Sequence, residues 1–134
     1  MSSPVELQYW DSNMFISLLN GENQDRVKII RDLLQLNKNG ALRIATSTFT
    51  IAEVRPHAND RGLPIDEFET ALQLFESDRL ELWTVTEKIA AEAARIGFEN
   101  PSVTPTDAIH IATAIAAKAD VLFTFDGGGT KRRR

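Results

Sequence analysis

Four short apolar runs, separated by pairs of helix-period segments, constrain the fold of this chain more than any other feature. The runs occupy 5–10, 41–46, 80–85 and 121–125. Connections this long favour parallel pairing, because a parallel crossover must return the chain to the same end of the sheet. The order β-α-α-β-α-α-β-α-α-β therefore predicts an α/β fold with three layers, α/β/α, around a parallel sheet of four strands.

Turn and capping residues mark the ends of the predicted helices. Asparagine–glycine pairs at 20–21 and 39–40 are stop signals, and hydroxyl residues precede three helical segments at Ser47, Thr86 and Thr104. Pro56 is expected to end the helix over 48–55, because proline lacks the N–H that a helix interior needs. The segment 57–64 is then predicted as a loop, and the last predicted helix runs to about Ala119.

The length of 134 residues favours a single domain, which we place at 1–126. The remaining segment, 127–134, reads GGGTKRRR and is interpreted as a glycine-rich basic tail, with direct contact to a nucleic acid as the less favoured alternative. A fifth strand in the sheet is left open.

Composition excludes several kinds of site and location. The chain has no cysteine, so disulfides, thiolate zinc sites and cysteine nucleophiles are ruled out. Its apolar stretches fall short of the roughly 20 residues that span a bilayer, and its first ten residues lack a signal-peptide pattern. We therefore expect a cytoplasmic protein without a membrane partner. The net charge of −4 argues weakly against nucleic-acid binding by bulk electrostatics, yet it is compatible with a metal-dependent enzyme acting on a polyanion.

Four acidic residues stand at the ends of apolar runs or inside apolar segments: Asp11, Glu53, Asp107 and Asp126. Asp11 and Asp126 follow the first and fourth predicted strands, at the sheet edge where parallel α/β folds bind ligands. Glu53 lies in the helix after the second strand, and Asp107 lies in the first turn of the helix before the fourth. Such a group of carboxylates is the ligand set that Mg²⁺ or Mn²⁺ prefers.

Each acid also has a purely structural interpretation. Asp11 can cap the first helix, and Asp107, three residues after Thr104, can belong to a capping box. Glu53 can be a solvated helix residue, and Asp126 can be a turn residue before three glycines. Taken singly, these interpretations equal or outweigh a ligand role. The metal-site hypothesis rests on all four acids meeting at one edge of one sheet.

Small polar residues accompany the acids and are candidates for orienting carboxylates or metal-bound water: Asn13, Ser47 and Thr124. His110, three residues after Asp107, is a candidate general base. A packed histidine satisfied by a hydrogen bond is the favoured interpretation, because a metal mechanism needs no histidine.

The segments around the four acids resemble the acidic motifs of PIN-domain nucleases, in the same order: YWDSNMF, ATSTFTIAEV, TPTDAIHIATA and LFTFD. The third motif is the most specific, and the subgroup that looks nearest is the VapC-type toxins of toxin–antitoxin pairs. The resemblance extends from Val5 to Asp126. It carries the family's acidic quartet onto Asp11, Glu53, Asp107 and Asp126, and its frequent small polar positions onto Asn13, Ser47 and Thr124.

The resemblance implies a metal-dependent endoribonuclease that uses Mg²⁺ or Mn²⁺ to cleave RNA phosphodiester bonds. It implies Asp11 and Asp107 as direct metal ligands and Asp126 as a direct or water-mediated ligand. Glu53 would bind the metal through water or orient the attacking water. It further implies a homodimer and an antitoxin that covers the acidic cleft. Family members usually continue past the fourth acid with an aromatic residue and a closing strand, whereas this chain reads DGGGTKRRR.

Two other functions stay open. The first is a catalytically silent PIN-like module that binds RNA or protein, against which the complete set of four acids speaks. The second is a phosphatase or phospho-acceptor of similar architecture with Asp11 as the nucleophile. That chemistry would favour a second aspartate at position 13, where this chain has Asn13.

Overall fold

The computed structural model describes residues 4–21, 23–60, 65–126 and 129–133, without the side chains of 20, 55–60, 65–68, 70, 125, 126 and 129–133. The elements in chain order are β1 (Leu7–Trp10), α1 (Ser12–Asn20), α2 (Gln24–Lys38), β2 (Arg43–Ser47), α3 (Thr48–Asp60), α4 (Ile65–Glu76), β3 (Leu80–Trp83), α5 (Glu87–Glu99), α6 (Pro105–Ala116), β4 (Val121–Asp126) and β5 (Gly129–Arg133).

The sheet has the strand order β3-β2-β1-β4-β5, and its first four strands are parallel. Central strand β1 pairs with β2 on one side and with β4 on the other, so that Tyr9 lies opposite both Ala45 and Leu122. This arrangement confirms the predicted parallel α/β/α fold.

The two faces of the sheet bury different sets of side chains, because neighbouring residues of a strand point in opposite directions. Trp10 and Ile44 belong to a core cluster with Met14, Phe15 and Phe75 from the helices α1 and α4. Tyr9 and Ala45, each one residue away along its strand, belong to a cluster with Ala114 of α6 on the other face. Helices therefore cover both faces and leave the strand ends for a site.

A fifth strand replaces most of the tail predicted over 127–134. Gly129–Arg133 pairs antiparallel with β4, and Thr124 lies opposite Lys131 in the register. The interpretation of this segment as a tail was therefore wrong for 129–133. Charged residues are common in exposed tails, and they are also common on edge strands, where they discourage pairing with other chains. Composition alone therefore could not distinguish a tail from an edge strand.

The helix α3 continues past Pro56 to Asp60, so the predicted helix end at Pro56 was wrong. Of the loop predicted over 57–64, the first four residues are helical and 61–64 lie outside the described residues. A proline inside a helix removes one backbone hydrogen bond. Here α3 packs against α1 and α4 and buries Val54, and this packing outweighs the local signal.

The predicted caps are confirmed at the starts of α5 and α6. The Thr86 side chain accepts a hydrogen bond from the Ile89 backbone N–H, and the Thr104 side chain accepts one from Asp107. Helix α6 ends at Ala116, three residues before its predicted end, and Lys118 adopts a left-handed φ of 57°. That conformation is incompatible with a continuing helix.

None of the helices in the described ranges combines the length and the apolarity needed to cross a membrane. The cytoplasmic location stays a prediction.

Candidate functional site

A small pocket of about 50 Å³ lies where β1 and β4 end. Its walls combine acidic, polar and apolar residues: Asp11, Asn13, Asp107, His110, Ile111, Leu122 and Thr124. Among the predicted site residues whose side chains the structure describes, two acids and two polar residues therefore meet in one place. The location agrees with the rule that parallel sheets bind ligands beyond the carboxyl ends of their strands.

Asp11 both caps a helix and faces this pocket. Its Oδ1 accepts a hydrogen bond of 3.1 Å from the Asn13 backbone N–H, which caps α1, and its Oδ2 accepts one of 2.5 Å from the Thr124 hydroxyl. The two interpretations of Asp11 are thus compatible. Since only 8% of the residue is exposed, the carboxylate is held in one orientation by two neighbouring elements.

The electrostatic surroundings of Asp11 disfavour its charged form. Burial raises the pKa of its carboxyl above the ordinary value, because removal from water destabilises a charge. Hydrogen bonds from Thr124 and Asn13 lower this pKa, while the negative charge of Asp107 raises it further. A cation in the pocket would offset both the burial and the repulsion between the two carboxylates.

Asp107 reaches the pocket from the first turn of α6. Its backbone N–H donates to the Thr104 side chain, which fixes the start of the helix, and its own side chain is exposed. The helix start therefore adds an accessible carboxylate to the pocket that the buried carboxylate of Asp11 also lines.

Glu53 is placed differently from these two acids. It does not line the pocket, and its Oε1 lies 2.6 Å from Nε2 of His110, which does. Ser47, the third predicted polar residue, is buried, and its hydroxyl accepts a hydrogen bond from the Phe49 backbone N–H at the start of α3. The structure thus places Glu53 beside the site and Ser47 in the helix start.

His110 is a packed, hydrogen-bonded histidine, as the favoured interpretation predicts. It is 3% exposed, and its Nδ1 lies 2.8 Å from the Tyr9 hydroxyl. Sequence reasoning missed Tyr9. The sequence feature that could have identified it is a tyrosine within a buried strand, because a buried tyrosine hydroxyl usually requires a hydrogen-bond partner.

Asp126 is the last residue of β4, and its backbone lies opposite Gly129 of β5. Its side chain lies outside the described part of the structure. The roles assigned to Asp126 and to the other predicted site residues stay predictions.

The chemistry of the pocket fits a hard divalent cation. Mg²⁺ commonly binds through one or two carboxylates and retains several waters, and Asp11 and Asp107 supply two carboxylates. Among the side chains that the structure describes, no group of three histidine, cysteine or acidic residues is close enough to hold a metal. A third carboxylate would have to come from outside that set, and Asp126 ends the neighbouring strand.

The family of this chain is shown by a family model. The model of the PIN domain family matches residues 9–132, which is nearly the whole chain. No curated protein matches the chain in sequence.

Three solved structures share the fold. The VapC20 toxin of Mycobacterium tuberculosis, described as cleaving the sarcin–ricin loop, has a TM-score of 0.72 at 17% identity, covering 90% of each chain. A toxin–antitoxin complex from Klebsiella pneumoniae has a TM-score of 0.61 at 17% identity, covering 84% of this chain and 81% of the other. VapBC2 of Rickettsia felis, bound to promoter DNA, has a TM-score of 0.61 at 20% identity, covering 84% and 83%.

Proposed function

Because this chain belongs to the PIN domain family, we propose that it is a metal-dependent endoribonuclease and a toxin of the VapC type. The observation that carries the proposal is the buried carboxylate of Asp11, held by Thr124 and Asn13 in a pocket with Asp107. A carboxylate is rarely buried beside another acid without a cation or a catalytic use for it.

Asp11, Asp107 and Asp126 would hold a Mg²⁺ or Mn²⁺ ion. When bound, such an ion activates water for attack and stabilises the charge that develops on the phosphoryl oxygens. Asp11 requires little reorganisation to serve as a ligand, because hydrogen bonds already orient both of its oxygens. In this proposal Asn13 and Thr124 orient the acid and Glu53 orients the attacking water.

RNA is the proposed substrate, and the charge of β5 supports a polyanion. Lys131 and Arg133 lie opposite Thr124 and Leu122 in the antiparallel register, and these two residues of β4 line the pocket. The β5 backbone, whose sequence contains Lys131, Arg132 and Arg133, therefore pairs with the strand that lines the pocket. This local run of basic residues supports a phosphate-bearing substrate, although the chain as a whole is acidic. The description of VapC20 as a toxin that cleaves the sarcin–ricin loop agrees with this substrate class.

An antitoxin is the proposed regulatory partner, because two of the similar structures are toxin–antitoxin complexes. An open groove of about 550 Å³ offers a surface for it. The groove lies among α1, α2 and α4, and its walls are apolar apart from a few polar residues, which include Arg31 and Arg79. A helix with an apolar face flanked by acids would match this surface. Antitoxin binding should abolish RNA cleavage.

We also propose a homodimer, which the exposed apolar side chains of α5 and α6 support. Phe98 is 87% exposed, and Ile115 is 59% exposed and lines a groove with Ile89 and Ala112. Contiguous exposed apolar surface of this kind commonly marks an interface. Light scattering should give twice the mass of one chain. Ile115→Lys should shift the protein toward the monomer, while the control Ile29→Lys, on the exposed side of α2, should not. A monomeric wild type would contradict the proposal.

The function is tested by incubating the purified protein with a pool of structured RNAs in Mg²⁺ or Mn²⁺. We expect cleavage that stops with EDTA, resumes when the ion is restored and leaves a 5′-phosphate. Asp107→Asn should lose this activity, because it removes the accessible carboxylate of the pocket. Cleavage that persists in EDTA would rule out the metal mechanism. If no RNA is cut and Mn²⁺ does not bind, the alternative of a silent binding module replaces the nuclease.

A further inference from the structure

Three side chains from different elements form a continuous hydrogen-bonded chain beside the pocket. Glu53 of α3 lies 2.6 Å from Nε2 of His110 on α6, and Nδ1 of His110 lies 2.8 Å from the hydroxyl of Tyr9 on β1. These hydrogen bonds connect Glu53, an acid of the predicted quartet, to the central strand β1. The polar interactions are partly or fully enclosed, so water competes with them only weakly.

The chemistry of the three groups assigns the direction of each hydrogen bond. A carboxylate oxygen accepts hydrogen bonds, so the Nε2–H of His110 donates the hydrogen bond to Glu53. In the neutral imidazole, which carries one ring proton, Nδ1 then accepts the hydrogen bond that the Tyr9 hydroxyl donates. Burial raises the pKa of Tyr9, which keeps its phenol protonated and able to donate. Both ring nitrogens are therefore occupied, which leaves His110 without a free nitrogen to act as a general base.

Packing holds the imidazole ring in this orientation. His110 is 3% exposed and Tyr9 is fully buried, and the aromatic rings of Tyr9 and Phe49 lie 5.8 and 6.0 Å from the imidazole. The contacts come from the sheet and from α3. A ring confined in this way can hold its partner at a fixed place, whereas a surface histidine would move with it.

We propose that His110 is a positioning residue that fixes the carboxylate of Glu53 beside the acidic pocket, and that Tyr9 fixes His110 in turn. The proposal rests on the proposed nuclease function. It assigns to His110 an effect on cleavage that passes through Glu53, without contact with the substrate. It also explains why a histidine lining the pocket has no free nitrogen toward it.

The test is a double-mutant cycle on single-turnover RNA cleavage. His110→Leu keeps a side chain of similar size but removes the donor to Glu53, and we expect the cleavage rate to fall roughly 10-fold at unchanged KM. The same substitution in a Glu53→Ala background should have no further effect, because the residue it positions is absent. Equal losses in both backgrounds would overturn the proposal.

Conservative variants separate positioning from packing. His110→Gln places an amide N–H near the position of Nε2, so it should recover most of the activity that His110→Leu loses. Tyr9→Phe removes only the hydroxyl and should reduce the rate less than His110→Leu does. If His110→Gln and His110→Leu are equally impaired although both unfold cooperatively in urea, the role of His110 is packing and the proposal fails.

A long-range ¹H–¹⁵N spectrum of the histidines provides a readout that does not depend on cleavage. We expect His110 as the neutral tautomer protonated at Nε2, with an Nδ1 shift that changes in Tyr9→Phe. The opposite tautomer would overturn the proposed contact even in an active enzyme. A wild type that shows the expected tautomer, cuts no RNA and binds no Mn²⁺ would instead reject the nuclease function, and the positioning role in cleavage with it.

Discussion

Replacing Asp11 with asparagine is expected to lower the rate of RNA cleavage by more than the roughly 10- to 100-fold typical of groups that only support a metal ligand. The amide keeps the size of the side chain and removes the negative charge that a divalent cation requires. The Thr124 hydroxyl and the Asn13 N–H, which now donate to the two carboxylate oxygens, are adaptable partners, because the hydroxyl can also accept from an amide. The variant should therefore fold and fail in catalysis.

A matched control separates the charge of Asp11 from the charge of the protein. Asp32 on α2 has an exposed side chain and pairs with Lys28 four residues earlier. Asp32→Asn removes the same charge and should leave the cleavage rate unchanged, because an exposed pair of this kind contributes little. If Asp11→Asn cleaves as fast as Asp32→Asn, Asp11 is only a helix cap and the metal-site proposal fails.

Unfolding in urea with EDTA present tests how Asp11→Asn changes the stability of the protein. Burial raises the pKa of Asp11 in the folded state above the ordinary value of 3.8. Protonation of Asp11 therefore stabilises the folded state. This contribution is fully present below the pKa of the unfolded chain and is lost as the pH rises through the pKa of the folded state. The amide of Asp11→Asn does not titrate, so the variant does not lose stability in this way. Its free energy of unfolding should therefore gain on the wild type as the pH rises from about 4, and a constant difference would contradict the burial of a charge.

The parallel sheet was predictable from sequence because its signals are local and repeated. Each strand is a short apolar run, and the long connections between the runs permit only crossovers. The segments around 41–46 and 121–125 became β2 and β4 with shifts of one or two residues at the ends. Such shifts are expected, because the last residues of a strand depend on its neighbours in the sheet.

The errors arose where tertiary contacts outweigh a local signal. Pro56 is a strong helix breaker, yet α3 continues to Asp60 because α1 and α4 pack along it. The basic residues of 129–133 are ordinary in a tail, yet β4 offers a free edge with which they pair. Composition and periodicity show neither the packing of α1 and α4 against α3 nor the open edge of β4, so they predicted neither outcome.

The candidate site was predictable in its residue types and only partly in its geometry. Asp11 and Thr124 were predicted from their positions at or near the ends of strands, because parallel sheets bind ligands beyond the carboxyl ends of their strands. The partner of Glu53 was not predictable, since His110 lies 57 positions away and Tyr9 lies 101 positions from His110. Only the packing of α6 against the sheet determines which histidine nitrogen meets which group.

Mn²⁺ is expected to stabilise the folded protein in the absence of any RNA. An ion that binds only the folded state adds about 2.7 kcal/mol at a concentration 100 times its Kd. For a chain of this size, that should raise the melting temperature by on the order of 5–10 °C. The physical reason is specific to this pocket. The ion would offset the burial that raises the pKa of Asp11 and its repulsion with Asp107.

The carboxylates can be counted by the variants that abolish this thermal shift. Asp11→Asn and Asp107→Asn should each remove it, and Asp32→Asn should retain it, because Asp32 lies on the exposed surface of α2. A loss in Asp126→Asn would add the acid at the end of β4 to the ligand set, whereas a full shift would leave Mn²⁺ on two carboxylates and water. A shift of equal size in all four variants would mean that the ion binds elsewhere, and the pocket would then lose its assignment as the metal site.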